Sequence, residues 1–374
     1  SGCEYRSYGC DWHEDLVTNR DPAAPHTPFL RIHYGRPLMK GSGQDSTFVQ
    51  AGTSFAAGGS SDVLNLRDFK RIEIKNLCIR YGKYGAYLRG CDSCILDNVR
   101  FVNCGSLGTV NRHDQSGTKA QQAVFWGSTD TTDGGACRIR SVLQVQIRGC
   151  SVDYCSRGLR VQDSGSAGTA SIISGNRVYR TLESGIYLAA GTYNGGSGCI
   201  NFHITGNTVH EAFNNGILLI GGRANTVSGN NVSRSASSGI MQWHGLDNMI
   251  CSNCIFDCNR LSYAGIGSDG DAFASLSIDG DDSVASGGTY IACVQNNSIM
   301  SCNIGRNPSA VVGLQIGLSN EWGNNYPTGT NILVKDSNCT DAATAFDNPK
   351  SVSITSTNDY QPLIDAKQTQ MSVS

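Results

Sequence analysis

The sequence has no marked excess of charge of either sign. Its 374 residues include 29 Lys and Arg against 31 Asp and Glu, for a formal net charge of −2. This balance lacks the basic footprint that usually accompanies binding to nucleic acid or to anionic membranes. No apolar run approaches the roughly 20 residues of a membrane-spanning helix. We therefore expect no nucleic-acid partner and no membrane partner.

Long stretches rich in Leu, Glu, Lys and Ala, which are typical of helices, are also missing. Gly, Ser, Asn and Thr are abundant instead, and glycine alone occurs 45 times. This composition is typical of many short strands that are joined by turns. The chain is long enough for one large domain or two ordinary ones, with an extensive core.

A six-residue phrase of the form apolar-x-[Gly/Asn/Asp/Ser]-X-x-apolar recurs along most of the chain, with a basic step of about 22 to 23 residues. Its copies are IKNLCI from Ile74, LDNVRF from Leu96, IRGCSV from Ile147, ISGNRV from Ile173, ITGNTV from Ile204, VSGNNV from Val227, ICSNCI from Ile250, VQNNSI from Val294 and VKDSNC from Val334. A second phrase, Gly-apolar-x-apolar, follows at Gly85, Gly158, Gly185, Gly216, Gly239 and Gly313.

Each repeat therefore holds at least two short segments of alternating polarity, which indicates strands. A unit of about 22 residues cannot bury its apolar side alone and has to stack on copies of itself. A leucine-rich repeat would show a Leu-rich consensus and a helical half, and neither occurs. The sequence predicts an all-β fold, a right-handed parallel β-helix of about ten coils. We expect an irregular N-terminal cap and first coils over 1–65, the β-helix over 66–345, and a cap or oligomer contact over 346–374.

The fourth position of the phrase holds asparagine in five copies, at Asn176, Asn207, Asn230, Asn253 and Asn297. Asparagine tolerates left-handed backbone geometry at turns, and its amide can bond the amide of the next coil. Successive coils lie about 4.8 Å apart, the spacing of hydrogen-bonded strands. The pattern thus predicts an inward-facing asparagine ladder with a structural role.

Sixteen cysteines raise the alternatives of disulfides, metal sites and buried thiols. Cys104, Cys155, Cys258 and Cys302 occupy the ninth position of the phrase, where other copies have Gly, Thr, Ala or Ser. Cysteine in such a place behaves as a small interior hydrophobe. The pattern favours buried free thiols and no bound metal, and leaves a disulfide between Cys3 and Cys10 open.

Because strand residues alternate, we expect the x residue of Gly-apolar-x-apolar to point outward and face solvent. These outward residues are Tyr87, Arg160, Tyr187, Leu218, Met241 and Gln315. The turns just after the same strands hold Asp163, Arg223, Trp243, His244, Asp269, Asp271, Glu321 and Trp322. Carboxylates, cations and two tryptophans on one edge favour a carbohydrate site. An ordinary solvated turn, where Asp and Gly are expected anyway, is the alternative.

Three insertions interrupt the repeat, at 105–142, 189–200 and 262–290. Long loops on a rigid solenoid usually build its binding site. The third insertion is acidic, and its oxygen ligands would suit calcium, although their spacing does not match an EF-hand. We expect no cofactor, with calcium as the alternative. The acidic residues are Asp269, Asp271, Asp279, Asp281 and Asp282.

The repeat, the asparagine ladder and the aromatic-acidic edge of residues 70–345 resemble the pectate-lyase-like β-helix superfamily. This superfamily includes polysaccharide lyases, glycoside hydrolases, mannuronan C5-epimerases and bacteriophage tailspike depolymerases. The resemblance implies a polysaccharide substrate and a secreted, extracellular or virion-surface location. Free interior thiols, little charge and a non-repetitive end are similar to tailspikes, which implies a homotrimer. The Tyr-Gly-x-Asp-Pro-His motif of the epimerases is absent, and the fragment DGDD at Asp279 lacks the Gly-His-Gly of polygalacturonases.

The leading hypothesis is an endo-acting glycoside hydrolase, in which two carboxylates flank the scissile bond. Asp269 and Asp271 are the expected pair, with Glu321 as a reserve acid and Glu183 as the main rival. His244 would transfer a proton or bind a hydroxyl. The expected substrate-binding residues are Trp243, Trp322, Tyr187, Arg160, Asp163 and Arg223.

Two other hypotheses stay open. A uronate lyase or C5-epimerase needs a base near C5 and a cation that neutralises the carboxylate, and Tyr187, His244 and Arg160 are the available residue types. A binding or structural β-helix without catalysis would need neither group.

Overall fold

The computed structural model describes residues 4–8, 36–50, 62–105, 134–189, 199–212, 214–235, 237–243, 245–258, 275–279, 284–285, 289–290, 294–295, 297–305, 312–316, 332–335, 337–339, 344–347 and 354–356. Within these ranges the regular structure consists of strands. The same ranges contain no helix that is long and apolar enough to cross a membrane. The all-β prediction is confirmed.

The strands in chain order are β1 (Glu4–Tyr8), β2 (Arg36–Lys40), β3 (Phe48–Gln50), β4 (Leu64–Arg67), β5 (Arg71–Arg80), β6 (Tyr84–Arg89), β7 (Ser93–Val102), β8 (Gly135–Arg140), β9 (Gln144–Arg148), β10 (Ser151–Cys155), β11 (Leu159–Gln162), β12 (Ser171–Ser174), β13 (Arg177–Thr181), β14 (Ile186–Ala189), β15 (Phe202–Thr205), β16 (Thr208–Ala212), β17 (Ile217–Ile220), β18 (Thr226–Ser228), β19 (Asn231–Ser233), β20 (Ile240–Trp243), β21 (Gly245–Leu246), β22 (Met249–Cys251), β23 (Cys254–Phe256), β24 (Leu276–Asp279), β25 (Val284–Ala285), β26 (Thr289–Tyr290), β27 (Val294–Gln295), β28 (Asn297–Met300), β29 (Asn303–Gly305), β30 (Val312–Ile316), β31 (Ile332–Lys335), β32 (Asn338–Cys339), β33 (Thr344–Asp347) and β34 (Ile354–Ser356).

Most of these strands form three walls around one core, and the strands within each wall run parallel. Wall 1 contains β4, β6, β8, β11, β14, β17, β20, β24, β30 and β33. Wall 2 contains β2, β9, β12, β15, β18, β22, β28, β31 and β34, and wall 3 contains β3, β10, β13, β16, β19, β23, β29 and β32. The long strands β5 and β7 run through both wall 2 and wall 3 and join them into one sheet. At the N-terminal end, β1 pairs antiparallel with β2.

The chain passes wall 2, wall 3 and wall 1 in turn, so each circuit is one coil of a right-handed parallel β-helix. Within the described residues wall 1 has ten strands, in agreement with the predicted number of coils. Identical positions of successive coils stack in the core, where Ile173, Ile204, Val227 and Ile250 lie opposite one another and are fully buried.

The predicted asparagine ladder is present at the corner between wall 2 and wall 3. The side-chain Nδ2 of Asn176 donates to Oδ1 of Asn207 at 2.9 Å, and Asn207 donates to Asn230 in the same way. The left-handed residue of this corner is the one before each asparagine, not the asparagine itself; it is glycine in three coils, as at Gly175 (φ 62°), and Ser252 (φ 54°) before Asn253. A Cβ on Gly175 would meet no atom within 4 Å, so glycine is favoured here by backbone conformation and not by space.

The predicted place of Asn297 in this ladder is wrong. Strand β22 pairs with β28 so that Ile250 lies opposite Ile299, which puts Cys302 next to Asn253 in the ladder. Asn297 belongs to a second column with Asn225 and Asn248, whose backbone N–H donates to Asn297 Oδ1 at 2.9 Å. The ninth-position assignment of Cys302 fails for the same reason. Near Val294 the repeat pattern can be aligned in two overlapping ways, starting at Val294 or at Ile299. The strand pairing shows that Ile299 is the correct start.

The described cysteines are free thiols, as predicted. Ten of them are buried, and Cys251 and Cys254 are half-buried. Burial raises the pKa of Cys91 to about 11 and that of Cys150 to about 12, so these thiols are protonated and weakly nucleophilic near neutral pH. Cys3 and Cys10, the remaining disulfide alternative, lie outside the described residues.

The corner between wall 3 and wall 1 consists of left-handed residues that are not glycine. Arg180, Glu211, Arg234 and Asp257 have φ between 53° and 57°, a conformation that costs an L-residue roughly 1–2 kcal/mol. Their side chains form a ladder of alternating charge across the coils. Arg180 Nε lies 2.7 Å and Arg234 Nη1 3.2 Å from the buried carboxylate of Glu211, and Arg234 Nε lies 3.7 Å from Asp257. These contacts oppose the local strain.

His210 lies on wall 3 beside this ladder. Its ring stacks on Tyr179 with centroids 5.4 Å apart, and its Nδ1 lies 2.8 Å from Ser233 Oγ. Burial lowers the pKa of His210 below its ordinary value of 6.5. The charges of Glu211 and Asp257 oppose this shift, whereas those of Arg234 and Arg180 reinforce it. The site thus favours the neutral imidazole.

We predict that Asn207→Ala lowers the free energy of unfolding by at least about 2 kcal/mol, because it leaves buried polar groups of Asn176 and Ile173 without partners. Equilibrium unfolding in urea measures this loss. The exposed neighbour Thr208 provides the control, and Thr208→Ala should change stability by less than about 0.5 kcal/mol. Equal costs for the two variants would contradict a structural role for the ladder.

We also predict a pH-dependent contribution from His210. Because the folded-state pKa lies below the unfolded-state value, the unfolded chain takes up the proton first as pH falls. The stability associated with the neutral ring is fully present above the unfolded pKa and is lost as pH falls through it towards the folded pKa. Urea unfolding from about pH 7 to about pH 5 should therefore show a steeper loss for the wild type than for His210→Gln. Parallel curves would disprove this assignment.

Candidate functional site

Outward-pointing side chains of wall 1 stack in a column along the solenoid. In strand register, from β6 to β20, the column reads Tyr87, Arg138, Arg160, Tyr187, Leu218 and Met241. The guanidinium of Arg138 lies 5.4 Å from the ring centroid of Tyr87, and that of Arg160 lies 5.1 Å from the ring centroid of Tyr187. The column is therefore aromatic and basic in the earlier coils and apolar in the later ones.

A pocket of about 310 Å³ opens where the basic part of this column meets the apolar part. It extends from the outer face of β11, β14, β17 and β20 to the turns that precede these strands. Its lining residues are Arg157, Arg160, Glu183, Ser184, Tyr187, Asn214, Asn215, Leu218, Ile220, Ser237 and Met241. A pocket of this size suits one small ligand or one sugar of a chain.

Arg157 and Glu183 form an ion pair at the rim of the pocket, with Arg157 Nε donating to Glu183 Oε2. Both side chains are about four-fifths buried, at 18% and 19% exposure. Burial alone would lower the pKa of Arg157, but the hydrogen bond and the charge of Glu183 raise it above its ordinary value. Glu183 therefore has a fixed cationic partner, which suits a positioning role better than proton transfer.

Arg160 has a different environment. Its Nε is buried and has no hydrogen-bond partner, and no carboxylate of the described ranges forms an ion pair with it. Burial lowers the pKa of Arg160, and the positive charges of Arg157 and Arg138 lower it further. A desolvated cation without a counter-ion is costly. This position is therefore electrostatically suited to receive an anion.

The opposite side of the pocket is apolar. Leu218, Ile220 and Met241 are 7%, 6% and 5% exposed, and Tyr187 packs against them. The expectation that Leu218 and Met241 face solvent is wrong, although they do point away from the core as the alternation predicts. The apolar contacts among these neighbours keep them buried.

Asp163 and Arg223 lie at the other end of the wall 1 strands and not in the pocket. Asp163 is 3.5 Å from Arg140 Nε, and Arg223 is exposed at a backbone bridge between Ile200 and Leu246.

Trp243 is the last residue of β20. The other predicted site residues are outside the described ranges, namely His244, Asp269, Asp271, Glu321 and Trp322. Among the acidic residues considered for calcium, Asp279 is the last residue of β24. The others, Asp269, Asp271, Asp281 and Asp282, lie outside the described ranges.

The structure thus brings together three predicted residues, Glu183, Tyr187 and Arg160. Sequence reasoning missed the turn before each strand, which contributes Arg157, Ser184 and the Asn214–Asn215 pair among others. A signal was available, since a polar residue directly precedes the glycine of four consecutive Gly-apolar-x-apolar phrases, at Gly158, Gly185, Gly216 and Gly239.

The glycine of the phrase lies beside the pocket, at a close approach of neighbouring coils. A Cβ on Gly158 would overlap the carbonyl oxygen of Gly185 in the next coil. Close approach of the two backbones therefore requires glycine here. The polar residues before these glycines, Arg157, Ser184 and Asn215, lie on neighbouring coils and together line the rim of the pocket.

Residues 62–232 match the family model described as a right handed beta helix region. The protein is a right-handed parallel β-helix. No curated protein is significantly similar to this β-helix in sequence.

Solved structures share the fold. The A-module of a mannuronan C-5 epimerase from Azotobacter vinelandii is 14% identical, with a TM-score of 0.52 over 89% of this β-helix chain and 90% of that chain. Tailspike protein 3 of bacteriophage CBA120 is 10% identical, with a TM-score of 0.48 over 89% of this chain and 55% of the phage chain. At these identities the similarity concerns the β-helix architecture alone.

We predict that Glu183→Gln destabilises the β-helix by about 1–3 kcal/mol, because it leaves the largely buried Arg157 without its counter-ion. Asp163→Asn is the matched control, since it removes a carboxylate from the longer and more exposed pair with Arg140. That change should cost less than about 1 kcal/mol. Thermal and urea unfolding of both variants would measure the difference, and the reverse order would contradict the assigned contacts.

Proposed function

We propose that the protein binds an anionic polysaccharide across wall 1 and acts on it, with Arg160 receiving an acid group of the chain. The observation that carries this proposal is the buried, unpartnered Nε of Arg160 in a pocket beside an aromatic ring. A carboxylate supplies both the missing charge and acceptor oxygens, and it can bind a guanidinium in bidentate geometry.

A sugar chain fits this surface better than a small free anion does. The pairing of an arginine with a tyrosine occurs twice along the column, as Arg138 with Tyr87 and as Arg160 with Tyr187. Aromatic side chains offer a broad apolar face that suits the apolar faces of sugar rings. The fold relative from Azotobacter vinelandii is, by its name, an epimerase of the polysaccharide mannuronan, which supports a polysaccharide ligand.

Of the reaction classes, uronate chemistry agrees best with the described part of the pocket. In a lyase or C5-epimerase, a base takes the C5 proton and the electron pair moves towards the carboxylate, where a cation stabilises the enolate. We assign the cation to Arg160 and the base to Tyr187. A lyase would then break the C4–O4 bond to give a C4–C5 double bond, and the departing O4 would take the proton that Tyr187 removed from C5. An epimerase would instead return a proton, delivered from water, to the opposite face of C5.

The glycoside hydrolase remains the alternative. It requires two carboxylates across the scissile bond, and Glu183 is the carboxylate among the described lining residues. Asp269, Asp271 and Glu321, on which the hydrolase hypothesis rests, lie outside the described residues. We also propose a secreted, extracellular or virion-surface location, which agrees with a polysaccharide ligand. From the resemblance to tailspikes we propose a homotrimer.

The test compares binding of polyuronates with binding of the same chains after chemical reduction of their carboxyl groups. We predict that Arg160→Gln weakens binding of the acidic form by about 10- to 100-fold, the value of a charge-assisted hydrogen bond. The carboxyl-reduced form should bind the wild type and Arg160→Gln alike. Isothermal titration calorimetry at fixed salt measures both affinities.

The exposed Arg148 on wall 2 provides a matched control for the loss of one arginine, and Arg148→Gln should bind as the wild type does. Equal loss for the acidic and the reduced ligand would contradict an ionic role for Arg160. Ultraviolet absorbance of an unsaturated product marks a lyase, a change in C5 configuration marks an epimerase, and new reducing ends alone mark a hydrolase.

A further inference from the structure

The wall 1 pocket has two halves of different chemistry, and the proposed function uses only one of them. The basic half contains Arg160 and the Arg157–Glu183 pair, whereas the apolar half consists of Leu218, Ile220 and Met241. We infer that the apolar half receives an acetyl group carried by the anionic sugar chain. This inference rests on the proposed function and names the substrate class of the same site.

The position of the apolar residues favours an apolar substituent on the sugar. Leu218 and Met241 continue the column of Arg160 and Tyr187 on the outer face, where a solvated strand normally carries polar side chains. They line the pocket together with Ile220, which points the same way two residues further along β17. The hydroxyl groups of an unsubstituted sugar would make no apolar contacts with this surface. A methyl group would fill it.

The hydrogen-bonding groups at the rim of the apolar half suit the carbonyl oxygen of an acetyl group. Asn215 Nδ2 donates to Asn214 Oδ1 at 3.0 Å, while Asn215 Oδ1 accepts from the backbone N–H of Ser238 at 3.2 Å. Asn214 Nδ2 has no partner among the described residues and remains available as a donor. Ser184 and Ser237 add hydroxyl groups to the same rim. An acetyl carbonyl is an acceptor directly attached to a methyl group, which matches this arrangement.

The spacing of the strands allows one sugar to contact both halves of the pocket. Arg160, Tyr187 and Leu218 lie on the neighbouring strands β11, β14 and β17, so each is displaced from the next by about 4.8 Å. A sugar ring over Tyr187 could therefore place its acid group towards Arg160 and a substituent towards Leu218. The pocket volume of about 310 Å³ accommodates one such substituted sugar.

The experiment uses one polyuronate in two forms, untreated and chemically O-acetylated, titrated into the full chain. We expect the acetylated form to bind about three- to tenfold more tightly, the effect of burying one methyl group. A glycan of N-acetylated amino-uronates tests whether an amide-linked acetyl group serves as well as an ester. Because this comparison uses the wild type, it does not depend on the folding of any variant.

Leu218→Ser should reduce the affinity ratio of the two forms towards one, whereas the volume-conserving Met241→Leu should retain it. Leu143→Ser is the control for loss of a leucine, because Leu143 is 56% exposed and lies outside the pocket. Equal wild-type affinities for the two forms, with Arg160→Gln still weakening both, would overturn the acetyl inference and leave the proposed function intact. Absence of binding to either form would instead remove the proposed function and this inference with it.

Discussion

The parallel register between successive coils is the constraint on which the rest of this structure depends. Each strand of a wall gives its backbone hydrogen bonds to the coil before and the coil after, so that residue positions repeat at about 4.8 Å. Ile173, Ile204 and Val227 share one buried column because β12, β15 and β18 pair in this register. A shift of one residue would turn every such column from the core to the solvent.

The corners are where this regular pairing is most difficult to maintain. Buried backbone amides at a corner need partners that a strand cannot supply. The side chain of Asn207 meets this need, since it accepts from the backbone N–H of Asn176 and donates to the carbonyl of Ile173. At the next corner the strained residues Arg180, Glu211 and Arg234 are held by ion pairs between coils. Both corners therefore rely on side-chain contacts that exist only when coils are stacked.

The outer face of wall 1 is free to carry chemistry because the core makes no demand on it. The interior positions of β11 and β14 are occupied by fully buried aliphatic residues, and Arg160 and Tyr187 point the other way. Stacking places Arg160 between Arg138 and Tyr187, so that the positive charge of Arg138 acts on Arg160, which forms no ion pair with a carboxylate of the described coils. The electrostatic property that defines the candidate site is thus a consequence of the solenoid geometry.

The sequence by itself determined the architecture, the interior cysteines and the first asparagine ladder, because a period of about 22 residues allows few other solutions. It also identified Arg160, Tyr187 and Glu183 through their positions relative to Gly158 and Gly185. Only the tertiary structure decided that Cys302 replaces Asn297 in the ladder, since local alternation cannot choose between overlapping frames. It alone paired Glu183 with Arg157, left Arg160 without a described counter-ion and buried Leu218. These properties depend on which side chains lie next to each other on neighbouring coils. A repeat pattern fixes the distance between coils, but it does not show which residue of one coil contacts which residue of the next.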